Sequence, residues 1–222
     1  TLEWLYRSYG TIAELVRTLD SQAKSITNPA EKIKLLFSIS ALWQKEMEQP
    51  LRAIKSLETI LSLEPRNVEA AQSLIPLYEL GQKWSPLAEV LEISLSDARE
   101  QEERKELLLR LSSLYEEKLR KPEQAFFSFV QVFKETFSSM DEAKELERLA
   151  SLSDNWETYV SVLEDSIPRL DSGQVRVDAL LRLAEVFRDQ LSENDAALTH
   201  FRAVQDADPS NRVALDAMEE IY

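Results

Sequence analysis

The feature that most constrains the fold of this chain is an internal repeat with a period of 72 residues and no insertion. Aromatic, small and bulky apolar residues each recur at that spacing. The matched sets are Trp43, Tyr115 and Phe187; Ala53, Ala125 and Ala197; Leu57, Phe129 and Phe201; and Ile60, Val132 and Val204. Repeats of supersecondary units indicate a stacked array, in which each unit covers the apolar face of its neighbour.

Each period divides into two segments with the pattern of a helical hairpin. Ile33, Leu36 and Phe37 follow the three- and four-residue spacing of one helix face. Asn28, followed by Pro29 and Glu31, has the form of a helix N-cap, and so does Ser139 before Asp141 and Glu142. Strand-like alternation does not persist beyond a few residues. The sequence therefore predicts an all-α chain of about thirteen helices, the first two over residues 2–9 and 12–26.

Two glycines lie between predicted helices. Gly81 and Gly173 are predicted to be left-handed residues that end a helix, since glycine adopts that conformation without steric cost.

The helices predict a single solenoid of stacked antiparallel hairpins. Its expected parts are a partial hairpin over 1–27, hairpins over 28–64, 65–99, 100–137, 138–171 and 172–208, and a lone helix over 209–222. Because Val213, Leu215, Met218 and Ile221 would leave an apolar face uncovered, we expect a piece of a longer array, with exposed terminal helices that could self-associate.

Composition excludes several classes of function. Three glycines are too few for a glycine-rich phosphate loop, and the absence of cysteine excludes disulfides and thiolate metal sites. A net charge of −14 disfavours nucleic acid as a partner. The sequence lacks an apolar stretch long enough to insert in a membrane. Cytoplasm and periplasm both remain open as the compartment.

The residue pattern resembles the tetratricopeptide repeat (TPR) family. Phe37, Ala41, Ala53 and Leu57 fall on that family's hairpin pattern, and the segment Asp195–Pro209 is similar to a second helix with its closing Asp-Pro. The resemblance implies a TPR-like superhelix that binds proteins or peptides. Leu87 and Tyr159 depart from it, because they stand near the helix crossing where the family has a small residue.

Catalytic and metal-binding patterns are missing from the sequence. His200 is the only histidine, and it lies within a helical segment without a partnered nucleophile. Neighbouring acids such as Glu116 and Glu117 point in directions about 100° apart on a helix, which suits neither acid–base catalysis nor metal binding. We therefore predict a non-enzymatic chain with no cofactor and no metal.

The TPR resemblance implies a peptide groove along the first helix of each hairpin. In the later repeat units, the groove positions carried over from the family are Leu107, Arg110, Leu114, Lys144, Arg148, Arg182 and Val186. Four of these are cations, which would suit an acidic-hydrophobic segment. The alternative is that the cations pair with nearby helix acids, such as Glu106, Glu145 and Glu185.

Three functions remain open at the level of sequence. The first is a protein–protein interaction scaffold that binds a peptide or protein segment on its first-helix surface. The second is a structural spacer or self-assembling element that acts through end-to-end stacking of repeats. The third, related to half-a-TPR repeats, is a scaffold for RNA processing, which the acidic balance disfavours.

Overall fold

The computed structural model describes residues 2–137, 140–170 and 173–221, and their regular structure is entirely helical. The α-helices are α1 (Leu2–Ser25), α2 (Pro29–Ala41), α3 (Pro50–Leu63), α4 (Val68–Leu80), α5 (Trp84–Asp97), α6 (Gln101–Ser113), α7 (Pro122–Thr136), α8 (Met140–Ser153), α9 (Trp156–Ser166), α10 (Gln174–Asp189), α11 (Asn194–Ala207) and α12 (Arg212–Ile221). Short π-helical turns, Leu42–Glu46 and Leu114–Lys118, extend α2 and α6, and a 3₁₀ turn, Ile167–Arg169, follows α9.

The predicted all-α array of helical hairpins is confirmed, with one correction to the number of helices. The described residues hold twelve α-helices, because α1 runs without interruption through the predicted break at Gly10. A single glycine in a helix costs only about 1 kcal/mol, so it does not by itself end one. The predicted cap at Ser139, the boundaries at 138, 171 and 172, and the end at Tyr222 lie outside the described residues.

The chain forms two compact units, one up to Leu107 and the other from Leu108. In each unit, helices that follow one another along the chain pack together as hairpins. In the second unit, α8 also packs on α10 and α7 on α9, so first helices lie beside first helices and second helices beside second helices. The predicted continuity of a single array over 1–222 stays a prediction. None of the described helices is both long and apolar enough to cross a bilayer.

The repeated apolar residues form the core of each unit, as the ladders predict. Ala53, Ala125 and Ala197 are all completely buried, which allows close approach of the helices that they separate. The polar residues also repeat: the buried hydroxyls of Ser94 and Ser166 donate to Val90 O and Val162 O, at 3.0 and 2.7 Å. The period therefore extends from the side-chain pattern to individual hydrogen bonds.

The turns inside the hairpins repeat at the level of backbone conformation. Glu48, Arg120 and Ser192 lie 72 residues apart and all are left-handed, with φ of 49°, 56° and 57°. The amide of the next residue closes each turn by donating to the carbonyl of an aromatic residue six positions earlier. The pairs are Gln49 to Trp43 at 3.0 Å, Lys121 to Tyr115 at 2.8 Å and Glu193 to Phe187 at 2.8 Å.

The glycine prediction was wrong at both positions, by one residue at Gly81. Gly81 has φ of −82° and Gly173 an extended φ of 176°, whereas the left-handed positions are Gln82, with φ of 52°, and its repeat equivalent Asp154, with φ of 55°. Among the described residues, every left-handed position is therefore occupied by a residue other than glycine. The hydrogen bonds of the turns hold these residues in a conformation that a Cβ disfavours.

We expect Ser192→Gly to stabilise the chain by about 0.5–1 kcal/mol, because glycine removes the Cβ clash of the left-handed conformation. The midpoint of thermal unfolding measures the effect. Ser192→Ala is the control and is expected to give no gain, since alanine keeps the Cβ. An equal midpoint for the glycine and alanine variants would contradict this account of the turn.

The bulky residues at the crossing positions are accommodated in the core. Leu87 is 3% exposed and Tyr159 is completely buried. The Tyr159 hydroxyl has no hydrogen-bond partner in the described part of the chain. Burial raises the pKa of that hydroxyl above its ordinary value, with a further contribution from Glu147. At these crossings, large side chains fill the space between the helices, whereas elsewhere a small residue lets the backbones approach closely.

Candidate functional site

A groove in the second unit lies between α8 and α10, the first helices of two consecutive hairpins. Lys144, Glu147 and Arg148 line it from α8, at the spacing of one helix face. The residues that line it from α10 are Asp178, Leu181, Arg182 and Glu185, also on one face. The groove encloses about 540 Å³, and Met140 at the start of α8 completes its wall.

Arg182 joins the two helices across this groove. Its Nε donates to Glu147 Oε2 at 2.6 Å, and its Nη2 donates to the other oxygen of the same carboxylate. Its Nη1 donates to Glu185 Oε2 at 2.6 Å on its own helix. These bonds raise the pKa of Arg182 above its ordinary value, and the hydrogen bonds to Glu147 are the largest cause. The planar guanidinium thus fixes the spacing of α8 and α10 in addition to supplying charge.

Arg148 makes the equivalent connection to the preceding first helix. Its Nη1 and Nη2 donate to the two oxygens of Glu116 at 2.6 and 2.7 Å. Its Nε and Nη2 donate to Glu145 at 2.9 and 2.7 Å. The hydrogen bond from Arg148 is the main reason that the pKa of Glu116 lies below its ordinary value. Each arginine therefore holds one carboxylate of its own helix and one from the previous hairpin.

The structure brings three of the seven predicted groove residues together. Lys144, Arg148 and Arg182 line the groove, while Arg110 lies on α6 outside its lining. Leu114 and Val186 are 7% and 2% exposed and belong to the core. Leu107, 8% exposed, is the last residue of the first unit. The apolar members face the core because they fall in the same helical stripes as the buried ladder residues.

The predicted pairing with helix acids is confirmed for Glu145 and Glu185. Sequence reasoning missed the partners in the previous hairpin, Glu116 and Glu147. The groove lining carries three cations and the three carboxylates of Glu147, Asp178 and Glu185. The predicted cationic strip is therefore electrically balanced in this part of the chain.

The only histidine of the sequence contacts a carboxylate and an aromatic ring of neighbouring helices. His200 Nε2 lies 3.0 Å from Glu164 Oε1, and the imidazole stacks on Phe187 with 5.3 Å between ring centroids. Within the described ranges, His, Asp and Glu side chains form no cluster of three that could hold a metal ion.

The chain matches no protein-family model and no curated protein. It is similar to the solved structure of YrrB, described as a TPR protein with an unusual peptide-binding site, at 16% identity and a TM-score of 0.37, over 83% of this chain and 91% of that one. A TPR protein from Parabacteroides merdae is similar at 14% identity and a TM-score of 0.40, over 99% and 96% of the two chains.

The C-terminal part of a TPR repeat-containing protein from Cytophaga hutchinsonii is similar at 14% identity and a TM-score of 0.38, over 98% of this chain and 99% of that one. All three belong to the family that the sequence resembles.

Proposed function

We propose that this chain is a TPR-like, non-catalytic scaffold that binds an extended protein segment in the groove between α8 and α10. The observation that carries the proposal is the groove itself: two consecutive first helices present an open surface with apolar walls and oriented charges. Met140 and Leu181 offer contact to apolar side chains of a partner. The carboxylates and guanidiniums beside them can bind main-chain amides and carbonyls.

The ion pairs make the groove a rigid surface. Arg182 and Arg148 are 41% and 45% exposed, so their outer N–H groups face solvent while their inner ones hold the helices. A partner then binds side chains that are already ordered, which reduces the entropy lost on binding. Because the groove lining carries no net charge, we expect the shape of the partner segment and its apolar residues to decide specificity here.

A photo-crosslinking amino acid at position 181 tests this proposal. Position 127 on α7 is the control, because Phe127 is 42% exposed and lies outside the groove. We expect a crosslinked protein from a host lysate at position 181 only, and we expect Met140→Glu to abolish it while the circular dichroism is unchanged. The same products at both positions, or none at position 181, would refute the proposal. Crosslinks to a second copy of the chain would support the self-assembling alternative instead.

A further inference from the structure

A second pocket, in the first unit, has a charge opposite to that of the protein. It lies between α1, α2 and α3 and encloses about 480 Å³. Four cations line it, Lys24, Lys32, Arg52 and Lys55, against one carboxylate, Asp20. On a chain with a net charge of −14, this concentration of positive charge is a local exception.

Among the described residues, no carboxylate holds the cations of this pocket. Lys24, Lys32, Arg52 and Lys55 form no ion pair with any described residue, unlike Arg148 and Arg182 of the second unit. Arg52 lies over the Trp43 ring, 4.9 Å from its centroid, so the aromatic face stabilises its charge without neutralising it. Four cations around one cavity repel one another, and a bound anion would relieve that repulsion.

The internal repeat shows that the fold does not require these cations. Two apolar residues of the pocket keep their apolar character through three repeats: Leu36 becomes Leu108 and Leu180, and Trp43 becomes Tyr115 and Phe187. Three of the cations are not kept. Lys24 becomes Ser96 and Pro168, Arg52 becomes Gln124 and Ala196, and Lys55 becomes Phe127 and Thr199; only Lys32 keeps its charge, as Arg104 and Arg176. The same hairpin thus forms without the positive cluster.

We propose that this pocket docks an acidic segment of a partner protein that also carries apolar side chains. Charge complementarity selects the acidic residues, and the apolar walls formed by Ala23, Leu36, Trp43 and Leu51 select their apolar neighbours. The sequence analysis expected an acidic-hydrophobic partner at the first helices of the later hairpins. This pocket suits such a partner better, because its cations, from three helices, form no ion pair with a described residue. This surface adds to the proposed scaffold function and lies in the other unit, so variants test the two separately.

The test is fluorescence anisotropy of a labelled library of short peptides in which Glu and Asp alternate with Leu and Phe. Lys24→Ser, Arg52→Gln and Lys55→Thr, combined, replace three cations with residues that the repeat itself carries at those positions. We expect this variant to bind the acidic peptides about 30-fold more weakly than the unchanged chain. Peptides with Gln and Asn in place of Glu and Asp are expected not to bind.

The matched control is Lys34→Glu with Lys45→Glu, two exposed lysines of the same unit outside the pocket, replaced by their own repeat equivalents Glu106 and Glu117. The control makes the net charge four units more negative, whereas the test variant makes it three units more negative. A general charge effect would therefore weaken binding more in the control. Equal or greater loss in the control would overturn the proposal, and binding within about threefold of the unchanged chain supports it.

Two further measurements locate and identify the ligand. Binding is expected to change tryptophan fluorescence, and Trp43→Tyr, which installs the residue of the second repeat, is expected to abolish that change. A fluorescence change that persists in this variant would place the peptide elsewhere and overturn the proposal. Binding to phosphatidylserine vesicles or to inorganic phosphate, with no binding of the acidic peptides, would also overturn it.

Discussion

Replacing Phe126 with alanine is expected to lower the free energy of unfolding by about 3–5 kcal/mol. Phe126 is completely buried in the core of the second unit, in one cluster with Ala125, and its helix α7 packs on α8. Its removal leaves a cavity that close-packed helices cannot fill without moving, and the lost contacts add to the lost burial. Urea unfolding followed by circular dichroism measures the change.

The neighbouring residue provides the control for this substitution. Phe127 is 42% exposed on the same helix, and its ring meets that of Phe126 edge to face at a centroid distance of 5.4 Å. Phe127→Ala loses mainly that edge contact, so we expect a cost of about 1 kcal/mol. Similar losses for the two variants would mean that α7 does not bury the face that we describe.

Replacing Arg148 with methionine is expected to lower the free energy of unfolding by about 1–2 kcal/mol at neutral pH. The loss is no larger because this arginine is 45% exposed and water screens its ion pairs. The substitution leaves Glu116 and Glu145 without their shared cation. Lys144→Met is the control: Lys144 is 72% exposed and lies 3.4 Å from an even more exposed Asp141, so we expect no measurable change.

The effect of Arg148→Met should depend on pH in a defined direction. Because Arg148 lowers the pKa of Glu116 in the folded chain, the pair contributes stability that is fully present above the unfolded pKa of about 4.3. That contribution is lost as the pH falls through the lower, folded pKa. The difference in the free energy of unfolding between the variant and the unchanged chain should therefore disappear at acid pH. A difference that stays constant down to strongly acid pH would show that Arg148 acts through packing alone.

The sequence predicts the hairpins well because their cores repeat the same packing problem. Ala53, Ala125 and Ala197 are completely buried where their helices approach closely, so the period is visible in the order of the residues alone. The groove is harder to predict, because each residue turns the helix face by about 100° and a small error moves a side chain from surface to core. Leu114 and Val186 show this: both were predicted in the groove, and both are buried.

The long-range ion pairs and the basic pocket could not be read from the period. Glu116 and Arg148 are 32 residues apart and Glu147 and Arg182 are 35 apart, so their pairing depends on how hairpins stack and not on one helix. The cations of the basic pocket come from three helices, and most do not recur in later repeats. A pattern search that rewards recurrence passes over such a cluster. The signal for this cluster is the set of positions at which the repeats differ.

The left-handed turns have a consequence for how such a chain can diversify. The same left-handed backbone recurs at residues 48, 120 and 192, and the amide of the following residue closes each turn. These three positions nevertheless carry an acid, a base and a neutral hydroxyl. Since main-chain atoms close the loop, the side chain there is free to change sign without altering the frame. A protein built from such repeats can change the surface of one repeat while the neighbouring repeats keep theirs.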